Sequence, residues 1–316
     1  MYLQTKKYRS FCDQDFIPDT STPPPSGSIY VQMEDVDKFF KVCEKTDNKY
    51  VMVSADSDYG LAHQQEHPVW KDLKKWTKNL LYMGKDIIDF ETFGYQALTI
   101  PPRCFVERCS LEHKYSLKCE THTLLTFPHI PSNIQKWFAT NCMVRHPLID
   151  CIPFGVHPGV EEVLATTEIT EKEKWLYVNF QTYTLSRYFL KQYLYGIAKD
   201  NQDWMTFVLQ PTKPLDEYLQ DIAAHRFTLC PNGNGVDCFR TWEALHLGSI
   251  PIVEKNVTTG YFEDLPIVIV EDIEKVDLNF LEKKYDEIKS KDWNTDKLDM
   301  NYWKHKIKET QDEIDY

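Results

Sequence analysis

Hydrophobic and polar positions fall into their most regular pattern in the second half of the chain. Short apolar runs at 175–180, 204–209, 226–230, 250–253 and 267–270 read as strands. Between them, apolar residues recur three and four apart over 184–199, 214–224 (opening on Pro214) and 237–247, which predicts helices. Strands alternating with helices of this length predict a parallel, doubly wound sheet, because each parallel pair needs a crossover to bring the chain back. Such sheets take ligands beyond the carboxyl ends of their strands, often at a helix N-terminus. The tail, 293–316, is polar with spaced aromatics and predicts a surface helix packed by one face.

The first half is less regular. Residues 18–28, Pro-Asp-Thr-Ser-Thr-Pro-Pro-Pro-Ser-Gly-Ser, hold neither a helix nor an inner strand. Helices are expected over 35–45, 70–81 and 132–141, and strands over 50–53 and 123–127. Pro131-Ser132-Asn133 ahead of Ile134 reads as the capped start of the third helix. The breaker-rich run Ile152-Pro153-Phe154-Gly155-Val156-His157-Pro158-Gly159 makes a domain junction. The resulting division is an irregular segment 1–28, an α/β domain 29–155, a Rossmann-like domain 156–292 and a C-terminal helix 293–316. A length of 316 residues suits two such domains.

Composition narrows the partners. The net charge is -12, with no Lys/Arg-rich run, so phosphate backbones and anionic lipid surfaces are repelled. Neither nucleic acid nor a membrane span is expected, whereas a small phosphorylated ligand needs only a few local donors. The nine cysteines are scattered without a C-x-x-C pair, which argues against a zinc ribbon and for free thiols in a reducing compartment. The chain opens on no apolar signal stretch, and Asn256-Val257-Thr258 is a lone glycosylation sequon, so a soluble cytoplasmic protein is expected.

The most informative stretch runs from Phe227 to Val253: a strand, a loop Pro231-Asn232-Gly233-Asn234-Gly235, a helix and another strand. Glycines let backbone N–H groups approach a phosphate closely, and a helix N-terminus adds partial positive charge. Asp237 is expected to cap that helix through its own backbone. Arg240 and Glu243, one turn apart, share a face able to offer a guanidinium to a diphosphate and a carboxylate to ribose hydroxyls. Phe239, Trp242 and Leu245 supply the buried side. The competing reading makes Arg240 and Glu243 a mutual ion pair and the glycines an ordinary turn.

This stretch resembles the nucleotide-sugar-binding segment of exostosin-like glycosyltransferases of the GT-B architecture. The shared features are Pro231, Gly233, Arg240, Glu243-Ala244, Gly248 and Ile250-Pro251-Ile252. It is similar, more loosely, to the corresponding segment of fucosyltransferases. The resemblance implies two Rossmann-like domains facing a cleft, the first on the acceptor side and the second holding the donor. It also implies a second donor-binding loop at Asn179, Thr182 and Arg187. The activity implied is inverting transfer from a nucleotide-diphosphate sugar, most readily a UDP-sugar, to a glycan acceptor hydroxyl. No metal or other cofactor is then required, since positive side chains and the helix terminus offset the diphosphate charge.

Two motifs in the first half compete for the chemistry. Asp56-Ser57-Asp58 directly follows the 50–53 strand. It fits a D-x-D metal site on the donor, a general base for the acceptor, or an Asx-turn. With the donor at 231–253, Asp58 is favoured as the base, ahead of Asp56. His63-Gln64-Gln65-Glu66-His67 spells the H-x-x-E-H pattern of zinc peptidases. Pro68 disfavours continuing the helix that would carry such ligands, so His63 and Glu66 read better as an acceptor-side loop. A non-catalytic module binding glycan or nucleotide sugar is the remaining alternative.

Overall fold

The structure, a computed structural model, describes residues 2–18, 22–55, 130–142, 146–182, 184–233 and 235–314. Asp56, Asp58, His63 and Glu66, the 70–81 helix, the 123–127 strand and Asn234 lie outside the described residues.

Among these residues the chain forms two five-stranded sheets, parallel throughout. The first takes β1 (Gln14–Asp15), β2 (Gly27–Tyr30), β3 (Tyr50–Ser54), β4 (Ile134–Ala139) and β5 (Ile149–Cys151) in sequential order. Helix α1 (Thr5–Tyr8) precedes them, and α2 (Val36–Cys43) follows β2. Every residue of β2 and β3 is buried, as expected where both faces of a parallel sheet are covered.

The second sheet takes β6 (Lys174–Val178), β7 (Met205–Phe207), β8 (His225–Leu229), β9 (Ile250–Glu254) and β10 (Val268–Val270) in the order β10-β9-β8-β6-β7. The chain winds outward from β6 to β7, then reverses and continues from β8 on the other side of β6. That reversal leaves a switch point at the carboxyl ends of β6 and β8. The helices of this half are α3 (Glu161–Thr166), α4 (Leu185–Ala198), α5 (Leu215–Ala224), α6 (Phe239–His246), α7 (Val257–Gly260) and α8 (Leu278–Lys289). The period of two along β6 divides them between faces. Leu176 and Val178 join a core with Leu194 of α4 and Leu281 of α8. Tyr177 points the other way, into a core with Ile222 of α5 and Trp242 of α6.

That second core is continuous with the core of the first sheet, so one apolar mass joins the two. The last helix, α9 (Met300–Asp312), adds to it by burying Met300, Trp303 and Ile307. Its Lys306 pairs with Asp150, the middle residue of β5, at 3.1 Å. No helix among the described residues is long and apolar enough to cross a membrane.

Two expectations are corrected. The helix expected over 132–141 is strand β4, whose Trp137 lies beside Met52 of β3 and Ile149 of β5. Ser132 and Asn133 form a turn, and the Asn133 amide donates to the Cys43 and Thr46 carbonyls at 3.0 and 3.3 Å instead of capping a helix. The apolar run is too short for periodicity to decide, and a buried place between two strands outweighs a cap-like triplet. The first 28 residues also carry more order than expected. Besides α1 and β1, Gln4 bridges Gly155 and Tyr2 bridges Asp299, while Leu3 and Tyr8 are fully buried.

Gly155 has φ +79°, and a Cβ there would stand 2.5 Å from the Leu3 carbonyl oxygen. Gly159 shares the left-handed backbone, with φ +94°, yet nothing lies within 4 Å of its Cβ position. Alanine at either place strains the backbone, but only at 155 must it also displace the N-terminal strand. Urea unfolding should show Gly155→Ala losing more stability than Gly159→Ala, by on the order of 1–3 kcal/mol. Equal losses would contradict the docking of residues 2–4 against this connection.

Candidate functional site

The site is built on the loops after β6 and β8. After β8, the Cys230 N–H still donates to the Ile252 carbonyl at 2.9 Å, and Pro231 then ends the ladder. The loop is fixed from behind by Arg187, on the first turn of α4. Its Nε donates to the Asn232 carbonyl and its Nη2 to the Pro231 carbonyl, both at 2.8 Å. Burial, then the nearby Arg240, lowers Arg187 to about 10, which still leaves it charged at neutral pH. A Cβ on Gly233 would stand 3.1 Å from that guanidinium, which explains glycine at this position. The Asn232 amide reaches the Glu254 carboxylate at the end of β9.

The Gly233 N–H is taken by the Gly235 carbonyl at 2.9 Å. The loop thus turns the Pro231 and Asn232 carbonyls toward Arg187, and the Gly233 amide is engaged within the loop. The two other residues expected in a donor loop also face other partners or stand aside. Asn179 donates to the Tyr177 hydroxyl at 2.8 Å, and Thr182 is half-buried further along the same loop.

Asp237 does not cap α6. Cys238 is the N-cap residue, and Asp237 turns inward to join the two sheets. Its carboxylate accepts from the Phe154 N–H at 2.9 Å and the Trp242 indole at 2.8 Å, while its own N–H donates to the Asn141 side chain at 2.8 Å. A short carboxylate beside buried donors satisfies them better than it would an end of the helix open to the cavity.

That cavity, of about 480 Å³, lies at the start of α6. Arg240 and Glu243 line it with Cys238 and Phe239; α5 contributes Leu215 and Tyr218, α4 contributes Arg187, and the 157–160 turn closes one side. Arg240 and Glu243 share the face their spacing implies, but they are not an ion pair within 4 Å. Glu243 accepts from the Tyr218 hydroxyl at 2.8 Å, and burial raises it above the usual carboxylate range, offset by Arg240 and by that hydrogen bond. Arg240 Nε is buried without a hydrogen-bond partner among the described residues. Its guanidinium carbon lies 6.0 Å from the Tyr218 ring centre.

Of the residues expected at a donor site, the structure brings Arg187, Arg240 and Glu243 together. Pro231, Asn232, Gly233, Gly235 and Asp237 support them from outside the cavity lining. Sequence reasoning missed His157, Tyr218 and Cys238. The turn with His157 read only as a junction, and Tyr218 only as a helical position. Cys238 is the helix N-cap, a place where serine or threonine would have been noticed. Phe239, expected on the buried side, is half-exposed and stacks against Phe154 at 4.6 Å.

A doubly wound sheet with two arginines and a glutamate lining a cavity beyond its switch point is the arrangement the structure shows in this half. Residues 176–305, from β6 into α9, match the family model of the RXYLT1 C-terminal domain, a xylosyltransferase-like domain of the exostosin-related glycosyltransferases. The likeness of this half suggests a glycosyltransferase-type function. No curated protein matches the chain at a significant level.

Burial is the largest cause that pushes the Asp237 carboxyl up from 3.8 to about 7. A folded value above the unfolded one means folding favours the protonated form. The group's stabilisation is complete below about pH 4 and is lost as pH rises through about 7. Asp237→Asn stays neutral throughout, so its unfolding free energy should depend less on pH over that window than the wild type's. Parallel stability–pH curves for the two proteins would show that the carboxylate is ionised in the folded state.

Proposed function

We propose that the protein is an inverting, metal-independent glycosyltransferase that moves a sugar from a UDP-sugar to a hydroxyl of a glycan acceptor. The observation that carries this reading is Arg240, whose buried Nε is unpartnered among the described residues, beside Glu243 in one cavity at a helix N-terminus. The family match over residues 176–305 supports it. As the acceptor oxygen attacks the anomeric carbon, negative charge builds on the departing diphosphate. Arg240, Arg187 and the first turn of α6 stabilise that charge, and no metal is needed to do so. Glu243, oriented by Tyr218, accepts hydrogen bonds from the ribose hydroxyls. Asp58, four residues beyond β3 in sequence, takes the acceptor proton, with Asp56 and His63 as the next candidates.

UDP should raise the thermal unfolding midpoint more than GDP, NAD or S-adenosylmethionine, since a ligand of the native state alone shifts unfolding upward. A response to GDP alone would move the reading to a fucosyltransferase-like donor. Indifference to every nucleotide would favour a non-catalytic module. Transfer that stopped with EDTA and returned with manganese would replace the metal-free scheme by the D-x-D one.

Glu243→Ala should weaken UDP binding by about 1.5–3 kcal/mol, the usual worth of a hydrogen bond to a charged group. Arg240→Ala should weaken it comparably and lower kcat as well, because its guanidinium meets charge that grows in the transition state. Arg240→Ala should nonetheless stay folded, since the Arg240 Nε makes no hydrogen bond for the core to lose. Gross unfolding of that variant would support a structural arginine instead. Asp58→Asn should reduce transfer by roughly 10²–10⁴-fold at nearly unchanged UDP affinity, the usual contribution of a general base. Normal transfer would remove Asp58 from the mechanism.

A further inference from the structure

Cys238 is the point at which extended backbone, φ −137° and ψ 150°, turns into α6. Serine, threonine or aspartate at such a position folds its oxygen over the first turn of N–H groups. The Cys238 side chain makes no cap hydrogen bond. Cys238 lines the cavity together with Arg187 and Arg240, and its sulfur lies 3.4 Å from the Thr241 hydroxyl oxygen. Arg240 supplies an independent pointer to a ligand here, because its buried Nε has no partner among the described residues. A cysteine, a guanidinium whose Nε lacks a hydrogen bond and the positive end of an eight-residue helix therefore border one space.

We propose that Cys238 is a covalent modification site opening into this cavity, one that selects compact anionic electrophiles. The positive groups do two things at once. They hold the anion beside the sulfur, and they favour the thiolate, which is the reactive form. The neighbouring Cys230 sulfur, and then the two guanidiniums, outweigh burial and hold Cys238 well below the ordinary thiol range. Burial raises Cys230 itself, so that neighbour keeps its proton. By contrast, burial pushes Cys43 up to about 12. With iodoacetate, the Cys238 sulfur attacks the methylene carbon, a C–S bond forms, the C–I bond breaks and iodide leaves with the bonding pair. The new carboxylate then lies beside the arginines, where a diphosphate would otherwise sit.

This reactivity depends on the cavity rather than on any sugar chemistry, and alkylation tests it directly. The full-length protein at pH 6 is treated with iodoacetate or with neutral iodoacetamide, and each cysteine is followed by peptide mass spectrometry. Cys238 should react at least about tenfold faster than Cys43, and faster with the anion than with the amide. Arg240→Lys should keep the preference for the anion, and Arg240→Gln should lose it. Inorganic pyrophosphate should protect Cys238. Alkylation of Cys238 no faster than of Cys43, or faster with the amide in both wild type and Arg240→Gln, would overturn the proposal. Selective, pyrophosphate-sensitive alkylation without any response to UDP would leave this site standing and sink only the donor assignment.

Discussion

The Asp237 carboxylate is buried where the two sheets meet, and it accepts hydrogen bonds from both sides. From the first-sheet side comes the Phe154 N–H, from α6 comes the Trp242 indole, and Asn141 after β4 accepts the Asp237 N–H. Each is a buried polar group that costs stability if left unmade. Together they fix α6 relative to the loops that follow β4 and β5. Because Asp237 is used in this way, the next residue becomes the N-cap. The first turn of α6 then faces the cavity without an oxygen folded across it.

Arg187 exerts a second constraint, from the opposite side of the same loop. By holding the Pro231 and Asn232 carbonyls it determines which way the loop's amides and carbonyls point. A lysine at this position would carry the charge but lacks the planar fork that reaches two carbonyls at once. The glycine at 233 is favoured by this packing, since a Cβ there would crowd the Arg187 guanidinium. A glycine-rich loop beside a ligand site thus has a local structural cause, and the charged groups that reach the cavity come from the helices around it.

The second half was legible because strand and helix periods alternate there without interruption. Strands β6, β8, β9 and β10 and helices α4, α5 and α6 all fall where the apolar pattern places them, within a residue or two at most ends. Arg240 and Glu243 were legible for the same reason, since residues three apart on a helix share a face whatever surrounds them. Asp237 was not, because its role depends on Phe154 and Asn141, which are distant in sequence. Strand β4 was misread because six residues bearing Ile134, Trp137 and Phe138 satisfy either period. Tyr218 and His157 carry no local signal. They matter because α5 and the 157–160 turn close on the same cavity.

The geometry around Arg240 separates two purposes that an arginine and a glutamate on one helix face can serve. An ion pair would neutralise both and stabilise the helix modestly. Here Glu243 is satisfied by Tyr218 instead, and the guanidinium is left with its Nε unsatisfied. Burying a charge in that condition opposes folding, so it persists where the rest of the core outweighs it. The Nε of Arg240 is already cut off from water before any ligand arrives. An anion that enters meets a fixed positive charge in a poorly screened space, with little reorganisation needed on either side. The same features make the adjoining sulfur of Cys238 reactive, because a field arranged for one anion also stabilises a thiolate. The proposed ligand binding and the proposed thiol reactivity at this helix terminus would therefore both draw on the one guanidinium of Arg240.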